Sequence, residues 1–234
     1  MQLSETVAPA SREWMQQLTG SLLREFGERL IFTGLQGSRA RGEEDSLSDI
    51  DPVVVLDCLS AEDLSHIRSV YSGMPEQGEL CGFVSGRQEL ACWDPADRLS
   101  FYYSTLPFYG RLEDIFPVPS AEDAAQAVLS GACGVYHMTC HCLLYGCDEQ
   151  TLSGLLKSAR FILQAQRLCE TGEYPQRLEE LFHTATGQEQ ELLKMYTALR
   201  GFKKLSANEQ NQVLEQLLNW SGALVRQYGA SVES

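Results

Sequence analysis

The chain has 234 residues, 44% of them hydrophobic, enough to bury the core of one large or two small domains, which excludes a peptide or a disordered tail. Acidic residues outnumber basic ones 32 to 18, a formal net charge of -14. No nucleic-acid partner is expected, because neutralising phosphates takes a basic stripe and no run of Lys and Arg exceeds Lys203-Lys204.

The N-terminal stretch MQLSETVAPASREW lacks a basic region followed by an apolar run, and the apolar stretches fall short of the roughly 20 residues that span a bilayer. The expectation is a cytoplasmic protein with no membrane segment. Its eight cysteines lie in apolar segments and are expected as free thiols.

In chain order, Trp14, Leu18, Leu22, Phe26 and Leu30 repeat every four residues and predict a helix with one apolar face over Ser11 to Leu30. LIFTGL follows as a short buried strand, closed by Gly37-Ser38. DIDPVVVLD reads as a second strand whose entry carries Asp49 and Asp51. Ser60 with Asp63 resembles a capping box ahead of a helix, GELCGFVSG reads as a third strand, and LSFYY as a fourth or as the start of a crossover.

The prolines of FPVPS interrupt regular structure, and from there the composition is helical to the end. The expected helices cover about 121 to 146, 151 to 171, 175 to 183 with a following segment to about 200, and 206 to 228. Ser206 with Glu209 caps the last of them.

Side chains alternate across a strand, so Asp49 and Asp51 share a face with Ile50 opposed. Two adjacent carboxylates repel each other unless a cation sits between them. Mg2+ is the economical choice, being held by one or two carboxylates and by substrate phosphates. Gly37 lets the backbone approach a ligand closely, and its amide and the Ser38 hydroxyl can donate to phosphate oxygens. Arg39 and Arg41 flank that turn as further phosphate contacts or as solvated cations. The sequence holds no G-x-x-x-x-G-K-[ST] loop.

GSRARG followed by SDID resembles the signature of the nucleotidyltransferase superfamily, in which Gly-Ser precedes Asp-x-Asp or Asp-x-Glu by about ten residues. FYYSTLPFYGRLEDIF and the tail LLNWSGALVRQYG are similar to the kanamycin nucleotidyltransferase group of antibiotic-modifying enzymes, so the resemblance spans most of the chain. It implies an α+β fold, with a mixed-sheet catalytic domain over 1-118 and a helical substrate-pocket domain over 119-234. It further implies Mg2+, as two ions, a nucleoside triphosphate co-substrate such as ATP, a small-molecule acceptor hydroxyl and a homodimer. The nucleoside monophosphate passes to the hydroxyl and pyrophosphate leaves.

The chain departs from that pattern twice. The family's third carboxylate has no counterpart inside LCGFVSG, which leaves Glu79, Glu89 and Asp97 as open alternatives. The family's general-base glutamate is also missing from the first helix of the second half, where His137 falls at about its position and His141 lies one turn on.

A histidine in an apolar helix is most often a hydrogen-bonded core or pocket residue, and a catalytic base is the sharper alternative. A zinc site from HMTCHC and Cys147 is a third. Lys157 and Arg160 are candidates to reach the triphosphate from the helical side, against a solvated helix face. Phe101, Tyr102, Tyr103 and Tyr109 are core aromatics or stacking platforms. Two other functions stand beside small-molecule transfer: AMP addition to a partner protein such as a toxin, and a catalytically decayed nucleotide-binding scaffold.

Overall fold

The computed structural model of the chain describes residues 7–44, 48–75, 80–201 and 204–230. The four-residue apolar repeat forms the buried side of helix α1 (Pro9–Phe26), where Trp14, Leu18, Leu22 and Phe26 are all buried. Leu30, the fifth member of that repeat, instead begins strand β1 (Leu30–Gln36), after a 3-10 turn at Gly27–Arg29.

Strand β1 lies antiparallel to β2 (Asp51–Leu56) and to β4 (Leu106–Tyr109), while β3 (Phe83–Gly86) runs parallel to β2. The resulting mixed sheet has the order β3-β2-β1-β4. Short helices α2 (Gly37–Arg41) and α4 (Arg87–Ala91) follow β1 and β3, and α3 (Ala61–Ser72) follows β2 behind the Ser60–Asp63 capping box.

Strand alternation sorts the apolar residues into two layers. Ile50, Val54, Leu56 and Leu35 pack with Trp14, Leu18 and Leu22 of α1 and Ile67 of α3. Phe32, Val53 and Val55 face the other way, toward Leu90, Leu112, Ile115 and Phe116. Each fully buried aliphatic or aromatic side chain contributes about 1.5–3 kcal/mol from apolar burial. A buried hydrogen bond of 2.7 Å between the Thr19 and Thr33 hydroxyls satisfies both polar groups where α1 crosses β1.

LSFYY is helical, which corrects the strand reading. It forms the second half of α5 (Pro95–Ser104), whose start carries a proline where a helix tolerates one. Phe101 and Tyr102 are half-buried against the second layer: Phe101 meets the edge of Phe83 at a centroid distance of 4.8 Å, and Tyr102 donates to Glu113 Oε1 at 2.7 Å. The fourth strand comes immediately afterwards, at β4.

The rest of the chain is α6 (Ala121–Tyr145), α7 (Glu149–Thr171), α8 (Leu178–Thr184), α9 (Gly187–Arg200) and α10 (Ala207–Gly229). Capping boxes at Ser120–Asp123 and Ser206–Glu209 start α6 and α10, and Gly172 in a left-handed conformation ends α7. Helix α6 packs on α7 and α10, and α9 packs on the same pair.

Helix α6 is 25 residues long and contains an 18-residue window of mean hydropathy 1.3, enough by length and composition to cross a membrane, which corrects the reading that no stretch reaches that length. All eight cysteines are free. The chain divides into two compact units, Met1–Asp94 with Phe101–Val118, and Pro95–Ser100 with Pro119–Ser234. The first half of α5 thus belongs with the helices.

Candidate active site

The β1–β2 register sets the geometry of the site. Gln36, the last residue of β1, pairs with Asp51, the first of β2, so the chain leaving β1 turns beside the Asp51 side chain. That turn is Gly37, with φ at +73°, a region L side chains avoid. A Cβ built there would lie 1.9 Å from Asp51 Oδ2, so only a glycine lets the backbone pass under this carboxylate.

Asp49 and Ile50 precede the strand proper. Ile50 makes an isolated parallel bridge to Leu80 and is buried among the α1-side residues. Alternation therefore puts Asp49 and Asp51 together on the opposite face, and both are half-buried. Gly37, Ser38, Asp49 and Asp51 are brought together at one end of the sheet.

Arg39 is engaged locally. Its guanidinium donates to the Ser48 carbonyl at 2.9 Å, to the Asp49 carbonyl at 3.0 Å and to the Ser11 hydroxyl at 3.2 Å. It thereby fastens the segment carrying the two acids to α2 and α1. Arg41 pairs with Glu43 at 2.9 Å, both side chains being largely buried.

Sequence reasoning missed the neighbouring contact in which Gln36 Nε2 donates to Thr105 Oγ1 at 2.7 Å. This bond joins the end of β1 to the residue before β4. Its only signal in the sequence was the position of Gln36 next to Gly37.

Of the three candidate third carboxylates, Glu79 lies outside the described residues. Glu89 folds over Gly86, where a Cβ would meet its Oε2 at 2.2 Å, and Gly86 pairs with Leu56 at the far end of β2. Leu56 lies five steps along the strand from Asp51, about 16 Å at ~3.3 Å per residue, which takes Glu89 out of the set. Asp97 sits in the part of α5 that belongs to the helical unit and is exposed.

Among the described residues no group of three or more His, Cys, Asp or Glu is placed to hold a metal, and the histidine-cysteine segment of α6 forms none. The donor set at Asp49 and Asp51 is a pair of hard carboxylates. It suits a Mg2+ ion that keeps several waters and takes its other ligands from phosphate.

His137 and Lys157 belong to the helical unit, on α6 and α7, and both are exposed. Of the core-or-pocket reading of His137, the core half is thereby corrected. Arg160 is buried to 1% exposure, donates to the Gln176 carbonyl at 3.3 Å and lies 5.9 Å from the Tyr196 ring centroid. It packs the helices together and does not reach outward.

The helical unit also contains a cavity of about 570 Å3, bounded by the start of α5 and by α6 and α7. Neither His137 nor Lys157 lines it.

No protein-family model matches the chain, and no curated protein matches it at a significant level. Ten solved chains do match by structure. One of them is a spectinomycin adenyltransferase, AAD(9), from Enterococcus faecialis, solved with ATP and spectinomycin. It aligns with a TM-score of 0.57 and 15% identity over 92% of this chain and 98% of that one. The likeness is one of fold, an α+β chain with a mixed sheet followed by helices, and it runs through nearly the full length of both proteins.

Proposed function

We propose that this chain is a nucleotidyltransferase that passes a nucleoside monophosphate from Mg-bound ATP to a hydroxyl of a small molecule of the aminoglycoside-like class. The observation that carries the reading is the Asp51 carboxylate lying directly over Gly37, with Asp49 beside it. This arrangement sits in a fold similar to that of an enzyme solved with ATP and spectinomycin.

Asp49 and Asp51 would hold the metal, which supplies charge neutralisation between the acids and the triphosphate. Gly37 and Ser38 offer backbone amides at the start of a helix, where no intrahelical acceptor exists, and a hydroxyl for the outer phosphates. Arg39 holds the acid-bearing segment in register with that turn. The acidic balance of the chain favours a cationic acceptor. His137 is the candidate to take the acceptor's proton, and Lys157 is a candidate phosphate contact.

A second reading is a nucleotide-binding protein that transfers slowly or not at all. It is favoured by the position of Glu89, which the strand register holds away from Asp49 and Asp51.

Calorimetric titration of ATP with and without Mg2+, on the wild type and on Asp49→Asn/Asp51→Asn, tests the site. Magnesium-dependent binding that disappears in the variant is expected. Pyrophosphate release in the presence of spectinomycin then separates transfer from binding alone. Wild type that binds no ATP under either condition refutes both readings.

A further inference from the structure

The cavity in the helical unit has features that its helices do not need for their own packing. Gly134 of α6 and Gly154 of α7 line it, and a Cβ built on either would meet nothing within 4 Å. Glycine is a poor helix former, so an interior glycine usually records a close approach by another element. Gly131, one turn before Gly134, is of that kind, since its Cβ would lie 2.7 Å from Ile162 Cγ1. Gly134 and Gly154 are not: both are exposed, and their missing side chains leave open space along the mouth of the cavity.

The volume lies within the range of small-molecule sites, and the lining is mainly apolar with a few hydroxyls, the composition such sites share. Phe161 and Tyr174 offer ring surface, and Ser130 and Ser158 offer hydroxyls. The lining contains one formal charge, Asp97. Asp97 stands in the first turn of α5, where a carboxylate favours the helix start without any ligand. Its position on the wall of an apolar cavity that holds no cationic side chain gives it a second use.

We propose that this cavity binds a compact organic cation, an ammonium group on an apolar body, with Asp97 as its counter-charge and Phe161 and Tyr174 as ring surfaces. The site lies wholly in the helical unit and stands independently of the reading of Asp49 and Asp51. Its ligand is defined by one negative charge, aromatic rings that attract cations, and hydroxyls that accept from an ammonium.

The test uses the full chain and two probes of nearly equal shape, 2-phenylethylammonium and neutral 2-phenylethanol, titrated by calorimetry. The cation is expected to bind at least about tenfold more tightly than the alcohol, because only it gains the charge and ring attractions. Asp97→Asn should reduce that preference severalfold, to what the rings alone supply, while leaving the alcohol's affinity unchanged. Glu122→Gln, an exposed acid outside the lining, should leave the preference intact and so exclude a general effect of the protein's negative charge.

Gly134→Leu and Gly154→Leu should each fill the cavity and lose both ligands, with a Tm at or above that of wild type. Equal binding of the two probes overturns the proposal, as does a preference that Asp97→Asn leaves undiminished. So does undiminished binding in both leucine variants, or no binding of either probe by the wild type.

Discussion

A methyl group on Gly37 would meet two obstacles at once, a left-handed backbone and the Asp51 carboxylate. The backbone alone costs about 1–2 kcal/mol in a residue that bears a Cβ. The contact adds a specific consequence, because a carboxylate can rotate away whereas a strand cannot. Gly37→Ala is therefore expected to fold with a lowered Tm and a displaced Asp51, and to bind Mg-ATP at least about tenfold more weakly. Thermal denaturation and calorimetry on one preparation check the two effects separately. Arg39 calls for a different expectation. Its hydrogen bonds go to Ser11 and to the carbonyls of Ser48 and Asp49, so it acts on nucleotide through the position of the acids. Arg39→Ala should weaken Mg-ATP binding without changing the dependence of that binding on salt. A direct phosphate contact would instead flatten the salt dependence. Arg39→Lys should restore little, because a single ammonium cannot span the same carbonyls.

Between elements, the best-defined electrostatic link is at the end of the sheet away from Gly37. The Asp63 carboxylate accepts from Arg29 at 2.8 and 3.0 Å and from the Ser60 amide and hydroxyl at 2.9 and 2.8 Å, tying the turn before β1 to the start of α3. The Arg29 guanidinium, and after it the Ser60 donors, hold this carboxyl well below the usual carboxylate range. A folded value below the unfolded one means that the contribution is complete above the unfolded range, near pH 4, and declines as pH falls from there toward the folded value. Asp63→Asn should thus lower Tm at pH 7, and the gap from wild type should narrow steadily below about pH 4. A gap that stays constant from pH 7 to pH 2.5 would count against this account. The same capping box was legible in the sequence, as were the Ser206–Glu209 cap and the stripe on α1, because each is set by residues within a few positions of one another. Gly37 and Asp51 meet through the β1–β2 pairing, which lies beyond that range. LSFYY was misread because aromatic residues suit strands, while the proline that starts the helix lies several residues earlier. The exclusion of Glu89 was not legible at all. It follows from the pairing of Gly86 with Leu56, and a strand register is a long-range fact.

Across the whole molecule, the excess of acids is the property the sequence states most directly and the fold leaves in place. Ion pairs such as Arg41 with Glu43, and Arg167 with Glu170 and Glu189, join the limited supply of cations to particular acids. With 32 acidic residues against 18 basic ones, the whole net charge of -14 stays uncompensated whatever the pairing. Folding gathers that charge into a smaller volume than the unfolded chain occupies, so self-repulsion opposes the compact state. Salt shortens its reach, from about 30 Å at 0.01 M to about 10 Å at 0.1 M, before it weakens pairs in direct contact. The Tm is therefore expected to rise by a few degrees as sodium chloride increases from about 0.01 to 0.1 M, and scanning calorimetry at fixed pH measures it. A fall over that range would show that the local pairs outweigh the repulsion. The same excess predicts that a labelled DNA duplex gives no anisotropy change with this protein even at low salt, where a basic stripe would bind most tightly. Binding there would require a cationic surface that neither the composition nor the paired arginines provide.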